Sequence, residues 1–296
     1  MSRPAERGVA LVAAVTALAV MTVLAVGLAH TTVVDQHLAR NARAALQADA
    51  LARSGVAVAA VVLEETGDTP DTLRAPWAQD AGRQPLGAGW VEVGIEDEAR
   101  RLALGAPELA DCVPRLLAIL GLDPGIADAL ADWTDADDEP RPHGAERGWY
   151  LGQPGRRVPP NAPFTSPAEL GLVRGVDERA LARLAPHVTV APEHAVNPNT
   201  ASREVLLAVL GDAGVVERIL SARADRPLAE ADVTALVSDE GARLTTRGQY
   251  YRVRALAGVD ALRRGVEATL AAPAGVEPAI VAWRPFVPRA SGTDAR

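Results

Sequence analysis

The first thirty residues constrain this chain more than any other stretch. Residues 9–29 carry no charged side chain, while Arg3 and Arg7 stand before them. At about 1.5 Å per residue, a helix of this length reaches roughly 30 Å, enough to cross the hydrocarbon core of a bilayer. A cleaved secretory signal has a shorter apolar stretch, about 7–15 residues, so removal at Gly27-Leu28-Ala29 is the weaker reading. Arginines ahead of the span put the N-terminus in the cytoplasm and the bulk of the chain outside. The Arg7-Gly8 pair lies before the run, not after it. That order suggests a peptidase that cuts at the cytoplasmic border and leaves the apolar segment on the mature protein.

Between Pro4 and Pro70 there is no proline, although the chain holds 22. Residues 35–47 are mostly good helix formers. Leu38, Ala42, Ala45, Leu46, Asp49 and Arg53 mix apolar and polar positions as a half-buried helix does. The expectation is one helix over residues 9–65, leaving the membrane and entering a soluble unit. Gly27 and Gly55 are its weak points, each costing about 1 kcal/mol relative to Ala.

A short leader ending in Gly, a retained apolar helix and an amphipathic continuation resemble the type IV pilin-like proteins. The resemblance implies a prepilin peptidase that cuts between Gly8 and Val9 and N-methylates Val9. Most members carry glutamate at the fifth mature position, which here is Ala13. A carboxylate in lipid is costly unless paired, and in pilins it pairs with the terminal amine of the subunit ahead. A subunit with nothing ahead of it needs no such group.

The 296 residues permit one large or two modest domains. A net charge of −8 argues against a phosphate-binding surface. Cys112 is the sole cysteine, which rules out an intramolecular disulfide and a Cys-rich metal site; it reads as a small buried hydrophobe.

Past Pro70 the pattern changes. Val91, Val93 and Ile95 alternate with Glu92, Gly94 and Glu96, and a turn over residues 96–100 is expected to close a hairpin onto Leu102 and Leu104. Helices are expected at 114–120, 124–133, 167–172, 178–184, 202–210 and 215–224. Asp123-Pro124 and the box Ser166-Pro167-Ala168-Glu169 give start signals, and Asn199 or Thr200 is a candidate cap. Strands return at 249–256, 265–271 and 279–287, followed by a loose polar tail, 288–296. Strand material on both sides of helices implies an α+β fold: a pilin-like long N-terminal helix packed on an antiparallel sheet, with a large inserted all-helical domain. The expected divisions are a leader at 1–8, a span at 9–29, a pilin-like unit at 30–106 and 244–296, and an insert at 107–243.

The densest polar cluster runs from Asp132 to Glu139 and on to Glu146. Alternating carboxylates in a turn can converge hard oxygen ligands on Ca²⁺. Asp135, Asp137, Asp138, Glu139 and Glu146 are the candidate ligands of a structural calcium ion. Counted from Asp135, residues 137, 139 and 146 echo an EF-hand loop, but Pro140 stands where that loop requires Gly. The competing reading is a solvated acidic helix end partnered by Arg141 and Arg147.

Several segments together look like the general secretion pathway protein K (GspK) family of minor pseudopilins in type II secretion. These are Asp132-Trp133-Thr134-Asp135, Gly144-Ala145-Glu146, Asn161-Ala162-Pro163-Phe164, Leu184-Ala185-Pro186-His187, Val196-Asn197-Pro198-Asn199-Thr200-Ala201, and Arg7-Gly8-Val9. The resemblance implies a place at the tip of the pseudopilus, initiating and capping the fibre beside the minor pseudopilins GspI and GspJ. It also implies dependence on the prepilin peptidase and the inner-membrane assembly platform. The localisation implied is a single-pass inner-membrane protein with a cytoplasmic N-terminus and a periplasmic domain.

The alternative is a membrane-anchored, competence-type DNA-binding protein. Val196 to Ser202 and Gly211 to Arg223 resemble its helix-hairpin-helix modules, which grip phosphate through backbone amides at a helix N-terminus. Residues 197–237 hold four Arg against six Asp or Glu, which disfavours DNA. No nucleophile elbow, phosphate loop or His-Glu-x-x-His motif is present. His30, His37, His143, His187 and His194 are scattered without zinc-ligand spacing. The chain reads as non-catalytic.

Overall fold

The computed structural model describes residues 4–67, 69–155, 158–237, 243–286 and 288. Residues 289–296 of the expected tail lie outside these, as does Arg3. Helix α1 spans Pro4–Thr66 as one unbroken element. Over residues 4–10 and at Ala29 only the backbone is described.

The second half of α1 presents a stripe of small residues to a sheet. Ala44, Ala48, Ala52, Val56, Ala59 and Leu63 are buried, spaced by three or four as one helical face requires. Beneath them lies a five-stranded antiparallel sheet in the order β1-β2-β5-β6-β7. Its strands are β1 (Gln84–Leu86), β2 (Gly89–Asp97), β5 (Tyr250–Val259), β6 (Leu262–Ala271) and β7 (Ala279–Phe286). Val91 and Ile95 of β2, Val253, Ala255 and Ala257 of β5, and Val266, Ala268 and Leu270 of β6 complete this first core. Gly55 marks the closest approach: a Cβ there would lie 2.9 Å from Val91 Cγ2 and 3.1 Å from Ala255 Cβ. The expected weak point is therefore a packing requirement.

The hairpin expected at residues 96–100 does not form. Asp97 accepts a hydrogen bond from Ala99 N at 2.8 Å and starts a 3₁₀ turn, Glu98–Arg100. Strand β3 (Leu102–Ala103) then pairs in parallel with β4 (Val188–Thr189), outside the main sheet. Arg101 draws the chain away, because its buried guanidinium is held by Glu98 and Glu96. The neighbours of β2 are instead β1, absent from the sequence reading, and β5, with Ile95 opposite Val253.

Between β3 and β5 the described chain is mainly helical: α2 (Cys112–Ile119), α3 (Ile126–Thr134), α4 (Arg147–Leu151), α5 (Glu178–Leu184), α6 (Arg203–Leu210), α7 (Ala213–Asp225) and α8 (Glu230–Leu236). These helices share a second core around Leu109, Leu116, Leu117, Leu184, Leu206 and Ile219. Leu102, Ala103 and Leu244 pack in it too, and Cys112 is buried there. Residues 167–172 form a 3₁₀ helix, with Ser166 Oγ accepting from Ala168 N. Ser202 caps α6, not Asn199 or Thr200.

Thr200 serves the seam between the two cores, and Asn199 a contact within the second. Asp97 Oδ2 accepts from Asn197 Nδ2 at 2.9 Å and from Thr200 Oγ1 at 2.8 Å. Asn197 Nδ2 also reaches the carbonyl of Asp71, whose carboxylate accepts from Tyr251 Oη and Gly248 N. Asn199 binds Leu228 through both ends of its amide. Glu193 Oε1 accepts from Gln249 N and Tyr250 N at the start of β5. Burial first, then the nearby Asp71, push Asp97 up to about 7. Burial and Asp97 push Glu193 up to about 8.

Two outcomes follow from this packing. Gly55→Val overpacks the helix–sheet contact and is expected to cost about 1–3 kcal/mol, read as a lower urea midpoint. At the seam, the folded state holds protons that the unfolded chain has released above about pH 4.5. The contribution of these two groups is therefore full below about pH 4 and is lost progressively as pH rises from there through about 7–8. Glu193→Gln keeps the accepting Oε1 and is expected to reduce that loss in a pH series of thermal melts.

Candidate metal centre

Helix α3 buries Ile126, Ala129, Leu130 and Trp133, and this amphipathic register places Asp132 inward on the last turn. Asp135 follows in extended conformation as the residue that ends the helix. The chain loops out and returns at Glu146, immediately before α4. Carboxylate oxygens of Asp132, Asp135 and Glu146 lie within 4.8 Å of one another. The return is tight: a Cβ on Gly144 would fall 1.8 Å from Asp132 Oδ2, so only glycine fits. Trp133 packs edge-on against Tyr150 at 5.2 Å and stacks with Phe164 at 6.5 Å, walling one side.

One cation of the chain already serves part of this group. Arg141 Nη1 donates to Asp132 Oδ1 at 2.6 Å and also contacts Asp135, while its backbone N reaches Asp132 Oδ2. Glu146 is different. It is 5% exposed, and neither carboxylate oxygen has a hydrogen-bond partner; Asp135 Oδ1 is likewise unpaired. Burial raises the Glu146 pKa, and the charges of Asp132, Asp135, Asp138 and Asp137 raise it further. A buried carboxylate without donors costs several kcal/mol if ionised. Hard, anionic oxygens converging on one point suit Ca²⁺, so the residues present fit that ion.

Of the residues nominated from sequence, Asp135 and Glu146 come together. Asp137, Asp138 and Glu139 lie on the exposed part of the loop. Asp137 Oδ1 accepts from Glu139 N at 2.9 Å, and Asp138 Oδ1 stands 3.5 Å from Asn161 Nδ2. Asp132 was missing from that ligand set. The amphipathic spacing of α3, with Asp132 beside Trp133 on its buried face, is the signal that could have found it.

At the other end of the molecule, the N-terminal half of α1 has no packing partner among the described residues. Leu11, Leu18 and Leu24 are 67, 65 and 66% exposed, in a helix long and apolar enough to cross a membrane. In the α6–α7 hairpin, Gly211 takes the left-handed conformation, φ 70°. Asp212 Oδ1 then accepts from Gly214 N and Val215 N. The amides that would hold a phosphate are thus occupied by a carboxylate.

The family profile of type II secretion system protein K matches residues 101–193. The protein of that name from Pseudomonas aeruginosa is 34% identical over 249 residues, covering 75% of this chain and 73% of the relative. The chain belongs to the type II secretion system protein K family. The Klebsiella pneumoniae member is 30% identical over 246 residues, 74% of this chain and 76% of that protein. Among solved structures, a chain of the GspK–GspI–GspJ complex from enterotoxigenic Escherichia coli superposes with a TM-score of 0.71. That match is 18% identical and covers 84% of this chain and 99% of the other, which shows the shared fold. Membership makes the protein a minor pseudopilin of type II secretion. With four Arg against six Asp or Glu over residues 197–237 and the hairpin amides capped, the DNA-binding alternative is not favoured.

If the cluster holds calcium, saturation at about a hundred times Kd adds about 2.7 kcal/mol, or roughly 5–10 °C in melting temperature. Thermal melts with Ca²⁺ and with a chelator measure this. Glu146→Gln is expected to remove the difference while leaving the chelated protein folded.

Proposed function

We propose that this protein occupies the tip of the pseudopilus, where it starts and caps the fibre. The observation that carries the reading is the combination in one chain of the protein K family's fold with an unpartnered apolar helix. The helix supplies attachment, and the helical block broadens the end of the subunit so that no further subunit stacks above it. Small residues on α1, such as Ala13, Ala14 and Ala17, permit close approach of neighbouring helices. The solved E. coli relative is in complex with GspI and GspJ, and the corresponding minor pseudopilins are the partners proposed here.

In this reading a prepilin peptidase removes residues 1–8 and methylates Val9. Residues 9–29 then hold the subunit in the inner membrane, with the main domain in the periplasm, until the assembly platform extracts it. Residues 30–106 and 244–296 act as the pilin-like unit, and 107–243 as the inserted helical unit. The role is mechanical, with no catalytic residue assigned. A Ca²⁺ ion held by Asp132, Asp135 and Glu146 would fix the loop between α3 and α4 by neutralising their charge.

Mass spectrometry of the mature N-terminus tests the processing: N-methylated Val9 is expected, and a start at His30 would overturn membrane retention. Affinity purification of the protein from cells expressing all three minor pseudopilins is expected to recover the other two. Recovery of this protein alone would count against the tip assignment.

A further inference from the structure

One edge of the five-stranded sheet is covered by its own chain only in part. Strand β1 pairs with β2 at Gly89, Trp90 and Val91 and goes no further. Just upstream of β1 the chain turns: Gly82 takes φ 63°, and Asp80 Oδ1 accepts from Gly82 N at 2.7 Å. A cavity of 330 Å³ runs beside the rest of β2, lined on one side by Glu92 to Asp97 and on the other by Trp77 to Asp80.

The register decides which groups of β2 border that cavity. In an antiparallel sheet, residues whose N–H and C=O point to one neighbour alternate with residues whose groups point to the other. The tight β5–β6 turn closes with Val259 opposite Leu262, so Val259, Ala257, Ala255 and Val253 bond toward β6. Leu256 and Arg254 then bond toward β2, where they stand opposite Glu92 and Gly94. Val93 and Ile95 are left pointing outward. Pro85 agrees with this phase: it has no N–H to give, and it stands opposite Trp90, whose groups turn toward β5. Two N–H and two C=O groups of the main chain therefore face the cavity with no hydrogen-bond partner among the described residues.

Only another extended main chain supplies donors and acceptors at the spacing of alternate strand residues. Directly opposed residues of such a strand share a face. Those opposite Val93 and Ile95 would meet Trp77 and Ala78 of the first core, with the half-exposed Leu73 beside them, and are therefore apolar. Trp77 is buried, and its Nε1 has no partner among the described residues, so one more donor borders the slot. The residue between them, opposite Gly94, has room for a large side chain, since a Cβ on Gly94 would meet nothing within 4 Å. So few main-chain bonds are a weak hold for a free peptide, which loses its translational and rotational freedom on binding. A segment already held nearby gains from its raised effective concentration. The apolar half of α1 gives that tether to any subunit anchored beside this one.

We propose that the edge of β2 at Val93 and Ile95 receives an extended segment of a neighbouring helix-anchored subunit, apolar at alternate positions, as a further strand of the sheet. The inference rests on the tip-assembly reading above and names the surface through which a partner is gripped. The edge is then open in the single subunit and covered in the assembly.

The test is hydrogen exchange at single-residue resolution on the full chain in detergent, alone and co-purified with the corresponding GspI- and GspJ-type subunits. In the chain alone, the Val93 and Ile95 amides are expected to exchange at least about tenfold faster than those of Glu92 and Gly94. In the complex both are expected to slow to the rate of their neighbours. Val93→Pro removes one outward N–H while sparing the bonds to β5, and Val93→Ala keeps it. The Pro variant is expected to hold the partners about tenfold more weakly than the Ala variant. Exchange on the wild-type chain decides the matter by itself if the Pro variant fails to fold. A complex that forms with both amides still fast, or equal affinity of folded Pro and Ala variants, overturns the slot and leaves the tip assignment standing. Slow amides in the chain alone overturn it as well. Failure of the three subunits to associate overturns the tip assignment and the slot with it.

Discussion

The carboxylate of Asp97 lies where the last residue of β2, the 3₁₀ turn after it and a loop of the helical block meet. It accepts from Ala99 N, Asn197 Nδ2 and Thr200 Oγ1, so three segments converge on one buried group. Asn197 N also donates to Ala99 O, tying the backbones directly. The knot stands where the chain passes from the sheet into the helices. Asp71, Tyr251 and Gly248 extend the network to the residues that follow α1 and begin β5. Neutralising a buried acid costs less than ionising it, which is why the seam tightens with protons.

The first core is built on a different principle. Helix α1 approaches the sheet through Ala and Gly, so its contribution comes from close contact over a long stripe rather than from large side chains. Such a surface tolerates almost no added volume. The same helix runs unbroken from its apolar half to Leu63, so one element joins that half to the domain. The carboxylate cluster stands beside the other core, where α3 ends. There Arg141 satisfies Asp132 and part of Asp135, while Glu146 is left buried with no donor. One cation against three carboxylates leaves negative charge unmatched, which calls for more positive charge.

Much of the fold was legible because its signals are local. The span, the proline-free helix and the capped helices need only neighbours within a turn, and α5 coincides with its expected limits, residues 178–184. Strands β5 to β7 were visible as alternation. The expected hairpin failed because the fate of residues 98–104 is set by Arg101 and by pairing with residues 188–189, not by the turn itself. Strand β1 and helix α4 are too short to carry a period. In the candidate site, acid density exposed the loop, but Asp137, Asp138 and Glu139 look equivalent to Asp135 and Glu146 in sequence. Only the turn at Gly144, held against Asp132, separates the ones that converge from the ones that face water.

The sequence by itself determined the long apolar helix, the α+β class and the family resemblance, because each rests on composition or spacing within short reach. Tertiary structure alone decided where the chain leaves the sheet, which carboxylates meet, and that Thr200 serves a seam and Asn199 the helical core instead of a helix cap. Those outcomes depend on partners such as Asp97 and Asn197, which lie 100 residues apart in sequence. A buried polar group must find its hydrogen bonds somewhere, and only the folded chain shows which distant segment supplies them.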